Sequence, residues 1–424
     1  MKLVFLFIPA LRRIALFPIM IFMFCVAPSP ALAADDDLFF QMIESDDVVG
    51  VQAAIAAGRD VNVPDRTGTT PLQRALLVMR KAARRPKPYF YGDIVIDGDG
   101  FKSGPAEAPV FDHGVISALI EAGADVNARS QYYPLPLFLA LSLDPQVVKM
   151  LLAAGADVNA RYGLETPLIF AGILASGFFP KAETRLVRML VDAGADVNVQ
   201  NASGWTPLMI WVQKNPEAVK ILLDAGADVN AKDGHADMTP LLSAASVGGN
   251  PDSAVILKML LAAGADVNAR TNDGASALWC ASMYGHYRDV EVLLDAGADV
   301  NVRAEGFTPL HMATGLIAME HENNRGSFRE RTERAGDVFA LSGATRKPPV
   351  DFSAVTKLLI EAGADADARS TGDGASVLGM TMAASADKAQ VKEERKFAGK
   401  TPLELARMVG NDAVAEYLEE QKRK

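Results

Sequence analysis

Residues 290–301 read VEVLLDAGADVN, and the last five letters of this stretch recur throughout the 424-residue chain. Apolar residues precede the pentapeptide at helical spacing, so a helix is predicted to end at its glycine, where left-handed backbone closes a helix at little cost. Full copies begin at Gly123, Gly155, Gly194, Gly226, Gly264 and Gly297, and altered copies, GRDVN and GADAD, at Gly58 and Gly363. This recurrence predicts a stack of similar units rather than separate globular domains.

A second motif follows each pentapeptide, with its proline position eight to ten residues after the Asn. It reads Thr-Pro-Leu from Thr70, Thr166, Thr206, Thr239 and Thr308, and Ser-Ala-Leu from Ser276. Threonine favours the N-cap of a helix and proline its first position, so each unit is predicted to run turn, helix, turn, helix. We expect the Ser-Ala-Leu copy to loosen its cap. The Asp and Asn of the pentapeptide are expected to bond to nearby backbone in the turn.

The stretch GFTPLHMAT at 306–314, joined to the VEVLLDAGADVNVRAE before it, resembles the ankyrin repeat, with its period of about 33 residues and its T-P-L-H-x-A signature. The resemblance covers about residues 35–424. It implies an all-α solenoid of about nine helix-turn-helix units with β-hairpin-like turns. The histidine position of the signature holds His311 in one unit and Gln73, Ile169, Met209, Leu242 or Trp279 in others. His311 and His286 are expected to bond locally and cap their helices.

The units differ in length, since the pentapeptide glycines lie 65, 32, 39, 32, 38, 33 and 66 residues apart. The excess falls between the proline position and the following glycine, which places it between the two helices of a unit. Residues 84–112 and 318–350 are predicted to be insertions because neither contains a second cap or pentapeptide; degenerate repeats are the alternative. Residues 399–424 are predicted to be the C-terminal cap of the solenoid. Residues 371–398 form either an aberrant unit or a long finger before that cap.

The first 33 residues contain three basic and no acidic residues, an apolar run over 14–27, and ALA before Ala34. This pattern predicts a secretory signal peptide cleaved after Ala33, and hence a periplasmic or secreted protein over residues 34–424. An uncleaved membrane anchor is the alternative, although the run is shorter than the about 20 residues of a span. Removing the segment would leave 39 basic against 52 acidic residues, a net charge of −13. That charge argues against nucleic-acid or anionic-membrane binding. We expect a monomer.

The sequence contains no recognisable catalytic, nucleotide-binding or metal-binding motif. The stretch DIVIDGDGF at 93–101 suggests a calcium loop, but Phe101 stands where a third oxygen ligand is needed. Cys280, the one cysteine after residue 33, lies in ALWCA and is predicted to be a buried, inert thiol. We therefore predict no enzyme activity, no cofactor and no metal. An enzyme or metal protein that uses an insertion is the alternative from another class.

The candidate binding residues lie in the turns that carry the pentapeptides. The residue two places after the Asn is basic at Arg129, Arg161, Lys232, Arg270 and Arg303, and Arg369 has the same position after the altered copy GADAD; Gln200 breaks the series. Only Lys232 is followed by an acidic residue, so this ladder is expected to be less neutralised than is usual in the family. The aromatic residues of the same turns are Tyr132, Tyr133, Tyr162, Trp205 and Phe307. The resemblance implies that Trp205 and Phe307 face a groove, whereas Trp211, Trp279 and Met209 are predicted to be core.

Arginine together with aromatic residues is typical of interface hot spots, and a basic ladder suits an acidic partner. We therefore predict an exported protein–protein interaction module that binds through the concave groove of hairpin tips and first helices, as the resemblance implies. An effector, or an immunity-type inhibitor of a specific enzyme or toxin, is the alternative. The basic stretches at 80–93 and 324–335 are predicted to be solvated loops.

Overall fold

A computed structural model describes the chain in nine stretches. These are residues 36–83, 89–91, 94–97, 100–103, 113–174, 180–246, 252–315, 350–371 and 397–424. The predicted signal peptide and the basic stretch at 324–335 lie outside them. The chain divides into an N-terminal unit, residues 1–157, and a C-terminal unit, residues 158–424. No helix in the described stretches is long and apolar enough to cross a membrane.

The N-terminal unit contains three helix pairs among its described residues. They are α1 (Asp36–Glu44) and α2 (Val48–Ala56), α3 (Pro71–Ala83) and α4 (Gly114–Glu121), and α5 (Pro136–Ala140) and α6 (Pro145–Ala153). The first helices of the pairs pack on one another in chain order, and the second helices do the same. This arrangement is the one predicted from the repeat.

The C-terminal unit contains six further pairs among its described residues, packed in the same order. They are α7 (Pro167–Leu174) and α8 (Pro180–Asp192), α9 (Pro207–Trp211) and α10 (Pro216–Asp224), α11 (Pro240–Ser246) and α12 (Ser253–Ala262), α13 (Ala277–Tyr284) and α14 (Tyr287–Asp295), α15 (Pro309–Met312) and α16 (Phe352–Glu361), and α17 (Pro402–Val409) and α18 (Asp412–Arg423). The last pair is the predicted cap. The prediction of an all-α repeat fold with about nine helix pairs is confirmed.

Hydroxyl side chains begin most of the first helices, as the motif predicts. The backbone N–H three residues on donates to the hydroxyl at Thr70, Thr206, Thr239, Ser276, Thr308 and Thr401. Ser276 accepts from the Trp279 N–H at 3.2 Å, so the expectation of a loosened cap there is wrong: serine provides the same oxygen as threonine. Thr166 is the exception, because its buried hydroxyl has no hydrogen-bond partner in the described residues.

The second helices end at the pentapeptide glycines, whose backbone is left-handed. At Gly226, for example, φ is +85°, a conformation that a side chain would strain. The core between the helices is apolar, with Leu151 buried in the N-terminal unit and Leu222 in the C-terminal unit. Trp211, Trp279 and Met209 are also buried, which confirms their assignment to the core.

The pentapeptide Asn side chains connect successive repeats. Asn230 Nδ2 donates to the Gly264 carbonyl at 3.0 Å, and its Oδ1 accepts from the Asp266 N–H at 2.9 Å. The same pair of bonds forms from Asn62, Asn127, Asn159, Asn198, Asn268 and Asn301 to the Gly and Asp of the next copy. The expectation of purely local bonds is therefore right for Asp, which accepts from the N–H two residues on, and wrong for Asn.

The insertion at 84–112 contains a three-stranded antiparallel sheet. Its strands are β1 (Tyr89–Tyr91), β2 (Ile94–Asp97) and β3 (Gly100–Ser103), in the order β1-β2-β3. The prediction of a solvated loop at 80–93 is wrong at residues 80–83, which complete α3, and at residues 89–91, which form β1; the rest of this range lies outside the described stretches. In the stretch DIVIDGDGF, residues 94–97 belong to β2 and residues 100–101 to β3, with Asp97 paired with Gly100; residues 93, 98 and 99 lie outside the described stretches. The consecutive aromatic residues at 89–91 and β-branched residues at 94–96 favour strand.

The residues that flank the stretch at 371–398 pair with each other in the turn that precedes α17. The Ser370 N–H donates to the Lys400 carbonyl at 2.9 Å, and the Gly399 N–H to the Ser370 carbonyl at 3.0 Å. Residues 372–396 lie outside the described stretches. Because its two ends pair with each other, the long-finger interpretation is favoured over an additional repeat.

Candidate functional site

We use the name finger for the turn that joins one helix pair to the next, from the pentapeptide Asn to the residue that caps the following helix. Within each unit, Asn side chains hold successive fingers together at the base. In three fingers of the C-terminal unit the tip is closed by a β-bridge: Tyr162–Glu165, Arg270–Ser276 and Ala304–Phe307. The described candidate binding residues all lie on fingers.

The finger that follows α4 belongs to the N-terminal unit. Arg129 is exposed, Tyr132 is 66% exposed and Tyr133 is half-buried. The Tyr132 N–H donates to the Ser130 hydroxyl at 3.4 Å. Arg129 forms no ion pair with a residue that the structure describes. This finger therefore presents a cation and an aromatic ring to solvent.

The finger that precedes α7 is a tight hairpin in the C-terminal unit. The N–H of Tyr162 donates to the Glu165 carbonyl at 3.1 Å, and the N–H of Glu165 to the Tyr162 carbonyl at 3.3 Å. Gly163 has φ +64°, as the first central residue of this two-residue turn requires. Leu164 at the tip is 55% exposed and Tyr162 is 44% exposed, while Arg161 is exposed beside them. Sequence reasoning missed Leu164, which the glycine before it could have revealed as a tip residue.

The next finger carries Trp205. Asn201 holds the turn, because the Trp205 N–H donates to its Oδ1 at 3.0 Å and the Asn201 N–H to the Trp205 carbonyl at 3.1 Å. Asn201 Nδ2 also donates to Glu165 Oε1 at 3.4 Å, which connects this finger to the one before it. Trp205 is half-buried, and its place in the groove stays a prediction.

The expectation that Phe307 faces a groove is wrong. Its side chain is 0% exposed, and its ring meets the ring of His311 edge to face with centroids 5.9 Å apart. Trp279 Nε1 donates to the Phe307 carbonyl at 3.1 Å and fixes the backbone there. Trp205 occupies the same motif position, but Met209 replaces the histidine that packs on Phe307. Phe307 therefore belongs to the core.

The basic ladder is more neutralised than the sequence suggests. Lys232 Nζ lies 3.2 Å from Asp237 Oδ2, and Arg270 Nη2 lies 3.1 Å from Asp299 Oδ2. Arg303 donates to the backbone carbonyls of Gly306 and Arg369. Arg369 and Gln200 also donate to backbone carbonyls, at Gly399 and Lys232. The expectation of a ladder short of neutralising partners is wrong at Arg270 and at Arg369, whose Nη1 lies 3.8 Å from Glu404 Oε2, because these carboxylates come from residues distant in sequence. Lys232, the one member followed by an acidic residue, forms its ion pair with Asp237 rather than with Asp233.

Three titratable side chains for which the sequence predicted a role, those of His311, His286 and Cys280, are buried. Burial lowers the pKa of His311 to about 4, against the opposing effect of the Lys400 carbonyl. Its Nδ1 lies 2.7 Å from Thr308 Oγ1 in a capping box, which confirms its predicted role. His286 forms no cap bond; its Nδ1 lies 3.5 Å from Asp289 Oδ2, so its predicted capping role is wrong. Burial raises the pKa of the Cys280 thiol to about 12, in accord with the predicted inert thiol.

Within the described residues, no three His, Cys, Asp or Glu side chains form a group that could hold a metal ion. The family model of ankyrin repeats, which contains three copies, matches residues 173–271 and 244–319. No curated protein matches the chain closely enough to count as a relative. The matched residues include the finger with Trp205 and the three successive fingers after it.

Proposed function

We propose that this chain, as a member of the ankyrin-repeat family, is a non-catalytic, exported module that binds a partner protein through its fingers. Ankyrin repeats are generally protein–protein interaction modules. The observation that carries the proposal for this chain is the hairpin finger at 161–165, where a charged and two apolar side chains are exposed together. Apolar surface at a protruding turn gains free energy when a partner removes it from water.

The export part of the proposal rests on the N-terminal 33 residues. A basic and apolar segment that ends in ALA is typical of a signal peptide. N-terminal sequencing of the protein from the extracytoplasmic fraction is expected to begin at Ala34. Recovery of residues 1–33 on protein embedded in the membrane would support the anchored alternative instead.

The binding part is tested by site-specific photocrosslinking in the producing cell. A photoreactive amino acid at Leu164, 55% exposed at the finger tip, is expected to yield a covalent adduct with another protein. The control is Val255, which is 51% exposed but lies on α12, a second helix. Adducts at 255 with none at 164 would contradict binding through this finger. The partner in the adduct separates a scaffold from the alternative of an effector or immunity-type inhibitor, whose partner is an enzyme or a toxin.

The alternative of an enzyme or metal protein is tested by metal analysis of the purified chain and by deletion of residues 84–112 or 318–350. Stoichiometric metal, or a catalytic activity that disappears with an insertion, would contradict a non-catalytic module.

A further inference from the structure

The cations on the fingers of the C-terminal unit differ in their partners. Lys232 and Arg270 each lie near an acidic side chain, Asp237 at 3.2 Å and Asp299 at 3.1 Å. Arg161 occupies the same position in its own finger, is exposed, and forms no ion pair with a described residue. A guanidinium without a carboxylate partner can form a bidentate bond with a carboxylate from another molecule.

The carboxylate in the finger of Arg161 is directed elsewhere. Glu165 Oε1 accepts from Asn201 Nδ2 of the next finger at 3.4 Å, and Glu165 Oε2 is buried without a hydrogen-bond partner in the described residues. Glu165 is therefore held against the neighbouring finger by its contact with Asn201. The charge of Arg161 remains available at the surface.

The apolar side chains of this finger stand on both sides of its turn glycine. Tyr162 and Leu164 flank Gly163 and are both exposed, and the backbone bonds between Tyr162 and Glu165 fix the turn. Trp205 on the adjoining finger is half-buried. A partner that covers these residues would remove apolar surface from water with little ordering of the backbone, because the hairpin is already closed.

We propose that the finger at 161–164 is the docking site for a partner segment in which an Asp or Glu side chain lies beside apolar side chains. The inference rests on the proposed function and specifies the chemistry of the partner. The carboxylate pairs with Arg161, and the apolar side chains cover Tyr162 and Leu164. A polyanion fits less well, because Asp196 is exposed at the base of the next finger and the chain has a net charge of −10.

Selection from a displayed library of random peptides, with the purified chain as bait, tests this chemistry. The wild type is expected to enrich peptides with Asp or Glu next to an aromatic or aliphatic residue. A synthetic peptide from that pool is expected to lose at least about tenfold in affinity with Arg161→Gln, and more with Arg161→Glu. The Arg161→Glu bait is expected to enrich Lys or Arg in place of the acidic residue.

Arg270→Gln is the matched control, because Arg270 has the same position in its finger but already lies near Asp299. It is expected to leave peptide affinity unchanged. Tyr162→Ala with Leu164→Ser is expected to weaken the peptide without changing its preference for acidic residues. Circular dichroism and melting of each variant must match the wild type, so that lost affinity reports the surface.

Several outcomes would overturn the inference. They are peptides without acidic enrichment, acidic enrichment that persists on the Arg161→Glu bait, equal losses from Arg161→Gln and Arg270→Gln, and no enriched peptide at all. Binding of the wild type to anionic lipid vesicles, lost in Arg161→Glu, would assign the finger to a membrane instead. The photocrosslink from Leu164 decides separately whether any protein binds there, so failure of the partner chemistry and failure of the proposed function remain distinguishable.

Discussion

Asn301 donates its side-chain amide to the carbonyl oxygen of Gly363, 62 residues further along the chain, at 3.3 Å. Its Oδ1 accepts from the Asp365 N–H at 3.0 Å, just as Asn230 bonds to Asp266 across an ordinary repeat. Asn62 spans the other large insertion in the same way, to Gly123 and Asp125. Successive fingers therefore meet directly across both segments, which supports their interpretation as insertions rather than degenerate repeats.

The last residue of the altered copy GADAD at 363–367 makes a different contact from the Asn of the other copies. Asp367 stands where the other copies have Asn, and no further pentapeptide follows it. A carboxylate cannot donate a hydrogen bond to a carbonyl, and here it contacts Lys422 of α18 instead. The exchange of Asn for Asp thus occurs where the inter-repeat bond is no longer required.

We predict that Asn230→Ala lowers the free energy of unfolding by about 1–2 kcal/mol, because two inter-repeat hydrogen bonds are lost. Asn230→Asp is expected to cost more, since it places a charge against the Gly264 carbonyl. The control is Asp367→Asn, which is expected to cost less than about 1 kcal/mol because it removes one exposed ion pair. Urea denaturation measures all three. Equal costs at positions 230 and 367 would contradict the role of the Asn bonds.

Replacement of residues 84–112 by a short Gly-Ser linker is expected to leave the repeat fold intact. Helix α3 ends at Ala83 and α4 begins at Gly114, and Asn62 connects the flanking fingers without the insertion. Shortening a loop changes its closure entropy by only about 0.6 kcal/mol for each halving of length. Helical circular dichroism and the melting midpoint should both be retained. A melting transition that broadens or disappears would show that the sheet supports the helices.

The stability of the chain is predicted to fall as the pH is lowered from about 6.5 to about 4. The pKa of His311 is lowered from 6.5 to about 4 by burial, so within this window the unfolded chain takes up a proton that the folded chain excludes. The full effect is about 3 kcal/mol. Urea midpoints measured across this pH range give the slope.

His311→Gln is the matched control, because Gln73 already fills the same position in another unit. Gln73 Oε1 accepts from the Thr70 N–H at 3.2 Å, and its Nε2 donates to the Ala128 and Pro134 carbonyls. The glutamine variant is expected to keep most of its stability at pH 7 and to lose the His311 part of the pH slope. Parallel pH profiles for the two proteins would contradict the assignment to His311.

Phe307→Ala is predicted to destabilise the C-terminal unit by about 3–5 kcal/mol, because its fully buried ring leaves a cavity beside His311. Trp205→Ala, at the same motif position but half-buried, is expected to cost about 1 kcal/mol. Thermal unfolding compares the two. A test of whether this motif position contributes to binding must therefore use Trp205→Ala. A loss of binding in Phe307→Ala would follow from unfolding.

Local sequence was sufficient for the repeat boundaries, most of the caps and the core positions of Met209, Trp211 and Trp279. Thr308, Pro309 and Leu310 act on the first turn of the helix that contains them, and Gly297 closes the helix directly before it. Helix capping depends on residues within a few positions of the helix end. The helix boundaries could therefore be predicted without knowing which repeats are in contact. The β-sheet at 89–103 was missed because its short strands lie in a segment dominated by Pro, Gly and charge.

Only the tertiary structure decided which finger residues are accessible. Trp205 and Phe307 share a motif position, yet Phe307 is buried because His311 and Trp279 pack against it. Arg161 and Arg270 share a second motif position, yet only Arg270 of the two forms an ion pair with a described residue, Asp299, which lies 29 residues away in sequence. Burial and charge pairing depend on atoms from neighbouring repeats, which the sequence separates by about one period. The sequence by itself therefore determined the repeating scaffold, and contacts between repeats determined which of its residues reach solvent.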